Sequence, residues 1–252
     1  MMNNLVDKLV RTGLSELVKP KQTIPFTNNE DWNIKLSDLC NYPHLFVLGC
    51  ISDKQIKADR AWRIPMIIGE QIGSHEFSAF RDLTFGELEK LFQSLRLHIY
   101  NNRISKEYFM GIKRISEVYE GRANFIWEET NSSTSIFIKF LNFEGIGQKI
   151  ASMAVNSLYR DFKINIDNPQ WIDVSPDRHV VRVFKRTGLV ENSASKEVII
   201  WKAKELYKEY PGVFDLSCFL IGRETCHVTN PNCTNCIIHF ECPKFIFNSD
   251  QN

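Results

Sequence analysis

IFIKFLNFEGIGQKIASMAV, Ile136 to Val155, joins two apolar helical patterns through a break that holds two glycines. Gly145 and Gly147 allow a tight backbone turn and let N–H groups approach an anion closely. The second pattern starts near Gln148 and carries Lys149 in its first turn. A helix start already has partial positive charge, so a cation is disfavoured there. A helix, a glycine turn and a second helix can hold a phosphate without reading any sequence. Read alone, the stretch is a turn followed by a short amphipathic helix with a surface lysine.

Helical signals dominate the rest of the chain. Leu5, Val6, Leu9, Val10, Leu14, Leu17 and Val18 recur at helical spacing until Pro20. Thr84 and Glu87 are spaced as a capping box ahead of Leu88, Leu91, Phe92, Leu95 and Ile99. Tyr108, Ile112, Ile115 and Tyr119 mark a further helix closed by Gly121. Asp177 is placed to cap a helix that stops at Gly188. Val198, Trp201 and Leu206 support another, broken at Pro211–Gly212, and Asp215 starts a last one ending at Gly222. Alternating runs are scarce and no Asn-Gly or Asp-Gly turn occurs, so the fold class expected is all-α.

The chain has 252 residues, 43% of them apolar and 24% charged, with a formal charge of +1. That is the composition of a water-soluble globular protein. No apolar run reaches the ~18 residues of a membrane span, and the N-terminus does not read as a signal peptide. The expectation is an intracellular protein of cytoplasm or nucleoid. Between Asp177 and Lys204, seven basic residues stand against three acids. A solvated helix face accounts for that bias.

RETCHVTNPNCTNCIIHFECPKF, Arg223 to Phe245, sets Cys226, Cys233, Cys236 and Cys242 at C-x6-C-x2-C-x5-C. Zinc sites usually show two short knuckles or a Cys/His mixture, and only one knuckle is present. Four thiolates on a compact loop suit a 4Fe–4S cluster, one cysteine to each iron corner. His227 and His239 keep zinc open as the alternative. Cys40, Cys50 and Cys218 stand in apolar contexts and are expected in the core.

The cysteine stretch, with LIGRE before it, resembles the C-terminal cluster loop of endonuclease III, in the helix-hairpin-helix DNA glycosylase superfamily. FEGIGQK resembles the family's LPGVGxK hairpin, with Glu144 in place of proline. VSPDRHVVRVF, with Asp177, His179 and Arg182, resembles its aspartate segment. CISDKQIKADRAW resembles the segment that carries a wedge glutamine, matched here by Gln55, with Lys54 and Lys57 as backbone contacts. A second reading makes Gln55 a polar cap on the preceding helix. The resemblance runs from about Leu45 to Phe247 and is faint toward the N-terminus. One departure is a longer stretch between Lys149 and Asp177, which includes NIDNPQWID; its Trp171 is expected to pack.

That resemblance implies a central six-helix domain, residues 45–158, with the hairpin at its edge. Residues 1–44 and 159–252 would form a second helical domain with the cluster loop at 226–242, the active cleft lying between the two. It implies a monomer acting on double-stranded DNA that contains a damaged base or an abasic site. Lys149 would be the nucleophile of a glycosylase and abasic-site lyase, and Asp177 would stabilise charge on the sugar and assist proton transfer. Gly145 and Gly147 would take a DNA phosphate, and Gln55 would fill the gap left by a flipped base. A positive helix end and apolar surroundings would favour the uncharged amine of Lys149. Two alternatives stay open: a monofunctional or mismatch-type glycosylase using Asp177 and water, and a noncatalytic DNA-binding protein.

Overall fold

Side chains placed just ahead of helices fix where many of them begin. Asn29, Thr84, Ser132, Asp177 and Ser195 each accept a hydrogen bond from a first-turn N–H. Thr84 and Glu87 form the full reciprocal capping box. The structure, a computed structural model, describes residues 2–245; Phe247, where the family resemblance ends, lies outside them. In chain order the helices are α1 (Met2–Leu17), α2 (Glu30–Ser37), α3 (Pro43–Ser52), α4 (Ala58–Gln71), α5 (Phe77–Arg81), α6 (Phe85–Ser94) and α7 (Asn101–Val118). Then come α8 (Phe125–Glu128), α9 (Ser133–Leu141), α10 (Gln148–Arg160), α11 (Arg178–Arg186), α12 (Lys196–Leu206) and α13 (Phe214–Glu224). No strand appears among the described residues, and no helix there is long and apolar enough to cross a membrane.

The chain divides into two compact units, Lys21–Ala154 and the two terminal stretches Met1–Pro20 with Val155–Asn252. The second division falls inside α10. In the central unit α3 is buried at every position and packs on α4 and α7. Phe46 of α3 meets Trp62, Trp127 and Phe140 at ring separations of 5.6, 6.2 and 6.3 Å. Residues 21–44 belong with this unit: Leu36 and Leu39 are buried and α2 packs on α3. The short helices α2, α5 and α8 offer too few turns for a readable apolar stripe.

In the terminal unit α13 packs on α11 and on α1. Gly222 lies inside α13 rather than at its end. A Cβ there would fall 2.5 Å from Nδ1 and 2.7 Å from Cβ of His179, so the glycine allows α11 and α13 to approach. The expected solvated basic face is corrected in part, because Arg182 and Arg186 of α11 are 8% and 3% exposed. Cys50 and Cys218 are buried, whereas Cys40 is exposed on a turn, its N–H donating to Asp38 at 3.2 Å. In the longer stretch before Asp177, Ile166 and Ile172 are buried while Trp171 is 60% exposed, so the expected packing role goes to the isoleucines.

Candidate active site

The break between α9 and α10 is a β-turn from Phe143 to Ile146, closed by the Ile146 N–H on the Phe143 carbonyl at 3.0 Å. Gly145 holds its third position at φ +84°, the left-handed region a type II turn requires. A Cβ on Gly145 would also run into the Lys54 ammonium and the Glu107 carboxylate, which form an ion pair beneath the turn. Gly147 differs: its φ is not positive, and a Cβ there would meet nothing within 4 Å. Its carbonyl accepts the Ile150 and Ala151 amides at 3.0 Å, so α10 starts on it.

Lys149 stands in the first turn of α10, its side chain 41% exposed. Its Nζ lies 3.7 Å from Oδ2 of Asp53, a carboxylate 12% exposed just after α3. The expectation of an apolar setting for Lys149 is thereby corrected. Glu144, the departure from the family hairpin, lies 3.9 Å from Lys106 at the surface, a pair of small energetic weight.

Lys54, offered by its sequence to a phosphate, is drawn inward. Glu107 is 4% exposed and accepts from both Lys54 and Arg103, the latter at 2.8 Å. Burial pulls the Lys54 ammonium below its ordinary range, against the opposing pull of Glu107. The His98 ring donates to the Lys54 carbonyl at 3.0 Å. Gln55 follows with φ 54° and is exposed, its amide oxygen accepting from the Tyr100 hydroxyl at 2.8 Å. It does not cap α3, which ends at Ser52 with Asp53 as its cap.

In the terminal unit Asp177 caps α11, with Oδ1 accepting the His179 and Val180 amides at 2.8 Å. The segment leading to it is pinned by Asp215, whose Oδ1 accepts the Ser175 amide at 2.6 Å. Asn156 donates to the other Asp215 oxygen at 2.7 Å and to the Gly212 carbonyl at 2.8 Å, while Tyr210 donates to Asn156. Burial pushes the Asp215 carboxyl up to about 7, although these donors oppose it.

Cys226, Cys233, Cys236 and Cys242 line one cavity together with Arg186 and Ile238. Burial pushes the Cys242 thiol up, and the three other cysteines add to the push. Among the described residues no three His, Cys, Asp or Glu side chains are set to hold a metal ion, so the thiols ring the cavity without closing on one point. Two buried arginines anchor the loop. Arg182 donates to the Cys226 and Gly222 carbonyls at 2.6 and 2.7 Å. Arg186 reaches the His227 and Val228 carbonyls and lies 3.5 Å from the Cys226 sulfur. His239 has one ring nitrogen on the Cys233 carbonyl at 2.6 Å, and His227 is exposed.

Among solved structures, a trapped endonuclease III–DNA covalent intermediate matches with a TM-score of 0.62 at 16% identity, over 96% of this chain and 94% of that one. A non-covalent endonuclease III–DNA complex matches at 0.61 and 17%, over 96% and 94%. A thermostable thymine-DNA glycosylase matches at 0.61 and 14%, over 96% and 97%. This is the helix-hairpin-helix DNA glycosylase fold. No family model and no curated protein sequence matches the chain. Within the fold, the hairpin and the Asp177 cap were readable as local patterns. Asp53, Glu107 and Asp215 were not, since each meets its partner from an element distant in sequence.

Proposed function

We propose that this protein is a base-excision DNA glycosylase with abasic-site lyase activity, using Lys149 as nucleophile on duplex DNA. The observation that carries the reading is the position of Lys149: it follows the Gly145–Gly147 turn and is reachable by solvent. The fold is that of endonuclease III, whose trapped covalent intermediate with DNA is among the structures it matches. In this reading the Lys149 amine attacks the sugar C1′ of a flipped, damaged nucleotide, and the base leaves with the bonding pair. The resulting Schiff base permits β-elimination of the 3′ phosphate. Asp177, held by two amides, stabilises positive charge developing on the sugar. The open face over Gly147 receives a backbone phosphate on the first amides of α10. Gln55, exposed beyond α3, enters the gap left by the base.

Four thiols around one cavity support a 4Fe–4S cluster, since each cysteine then takes a separate iron. A single zinc needs four donors at about 2.0–2.3 Å from one point. Cys226, Cys233, Cys236 and Cys242 would hold the cluster, whose contribution is to shape the loop; no step of base removal passes through it.

One observation favours a second reading, a glycosylase using Asp177 and water: the Lys149 head is engaged with Asp53. The two part on incubation with duplexes carrying single oxidised, deaminated or mismatched bases. The nucleophile reading expects base release coupled to strand nicking, both lost in Lys149→Ala. Base release without nicking, retained in that variant, overturns it in favour of water. Neither activity with any duplex would favour a DNA-binding protein without catalysis.

A further inference from the structure

We propose that Asp53 is the proton acceptor for Lys149, the group that converts the ammonium into the attacking amine. The inference rests on the nucleophile reading and adds a residue to it. Asp53 Oδ2 lies 3.7 Å from Lys149 Nζ, and the two differ in exposure: the carboxylate is 12% exposed and the amine 41%. A shielded acceptor beside a reachable amine is the arrangement general-base activation needs. The separation must close to about 3 Å for transfer, and such contacts are commonly long before substrate binds.

The second support is the way the pair is held in register. Asp53 ends α3, the fully buried helix, its N–H donating to the Cys50 carbonyl at 3.2 Å. The next residue is fixed twice, through its carbonyl by His98 at 3.0 Å and through its ammonium by Glu107. The same Lys54–Glu107 pair lies under Gly145, which sets the start of α10 and so the root of Lys149. One buried ion pair therefore positions both the acceptor and the nucleophile.

Cys50 of α3 and Lys149 of α10 lie around Asp53, while Lys54, the next residue in the chain, faces Glu107 and Arg103 of α7 and Glu144 of the hairpin. Burial pushes the Cys50 thiol well up, which keeps it uncharged. Lys54 and Arg103 are both occupied by Glu107. Lys149 is the cation paired with Asp53 among the described residues.

Asp53 takes a proton from Lys149, and the Nζ lone pair forms a bond to C1′. The C1′–base bond breaks with its electrons on the base, which receives the proton from Asp53, directly or through water. The carboxylate is regenerated. The C1′–O4′ bond then opens as O4′ takes a proton from Nζ, leaving the protonated Schiff base.

The test is the rate of borohydride-trapped adduct on a duplex with one abasic site, followed from about pH 7 to about pH 9, where a lysine increasingly loses its proton unaided. Asp53→Asn should slow trapping about a hundredfold near neutrality and regain the loss as pH rises, with duplex affinity kept. Asp53→Glu, which keeps a carboxylate, should recover part of the neutral rate. A wild-type rate for Asp53→Asn at neutral pH overturns the proposal, as does an equal deficit at every pH. Absence of any adduct from the wild-type chain overturns the nucleophile reading, and the role of Asp53 falls with it.

Discussion

A methyl group added at Gly145 would run into the Lys54–Glu107 pair at a backbone angle side chains avoid, whereas one added at Gly147 would meet nothing within 4 Å. The two glycines differ: the first answers to folding, and the second meets no such demand within the fold. Gly145→Ala is predicted to lose about 1–3 kcal/mol of stability, read as a lower denaturation midpoint. Gly147→Ala is predicted to keep the wild-type midpoint and bind duplex DNA more weakly; equal binding would remove the phosphate role. Asp215 gives a pH signature. Its folded-state carboxyl is raised from 3.8 to about 7, so the native state binds the proton more tightly than the unfolded chain. Its contribution to stability is full below about pH 4 and is lost as pH rises to about 7. Relative to Asp215→Asn, the wild-type chain should therefore lose stability between those limits in urea titrations. A constant difference would contradict the burial argument.

Helix α11 shows what a helical pattern does and does not reveal. Its N-terminus was legible, because an aspartate ahead of an apolar run is a capping signal with a defined mechanism. Its buried face was not. Arg182 and Arg186 stand four apart with His179 and Val183 on the side turned inward, and a charge count reads such arginines as solvated. Their partners are carbonyls of the cysteine loop, about forty residues later, so no local spacing could announce them. Arg186→Met, close in volume, is predicted to cost about 3 kcal/mol through carbonyls left unpaired. It should also lower the metal bound per chain. Unchanged metal content would show that the loop holds its shape without α11. Gly222 reads in the sequence as the end of the last helix and not as a contact within it, since His179 enters from another element.

For the whole molecule, the all-α class followed from helical periodicity and the lack of strand signals, and the fold matches endonuclease III across 96% of the chain. Local motifs carried the hairpin, Asp177 and the cysteines, because each is a short pattern with its own chemistry. The Asp53–Lys149 pair depends on the residue after α3 reaching the first turn of α10 in the folded unit, 96 residues apart in the chain. A formal charge of +1 gives little attraction for DNA overall, so under the proposed function affinity would come from local backbone contacts. Duplex binding should then weaken with salt at a slope of about −0.9 per phosphate contact, and Gly147→Ala should flatten that slope. The cysteine cavity predicts about four irons per chain and a coloured protein; colourless protein with one zinc would contradict it. The central claim is that Lys149 attacks the sugar, and the most direct measurement is mass mapping of the borohydride-reduced adduct on a damaged duplex. A covalent link on the peptide containing Lys149, and none in Lys149→Ala, is expected. A link at another residue, or base release with no link at all, would contradict it.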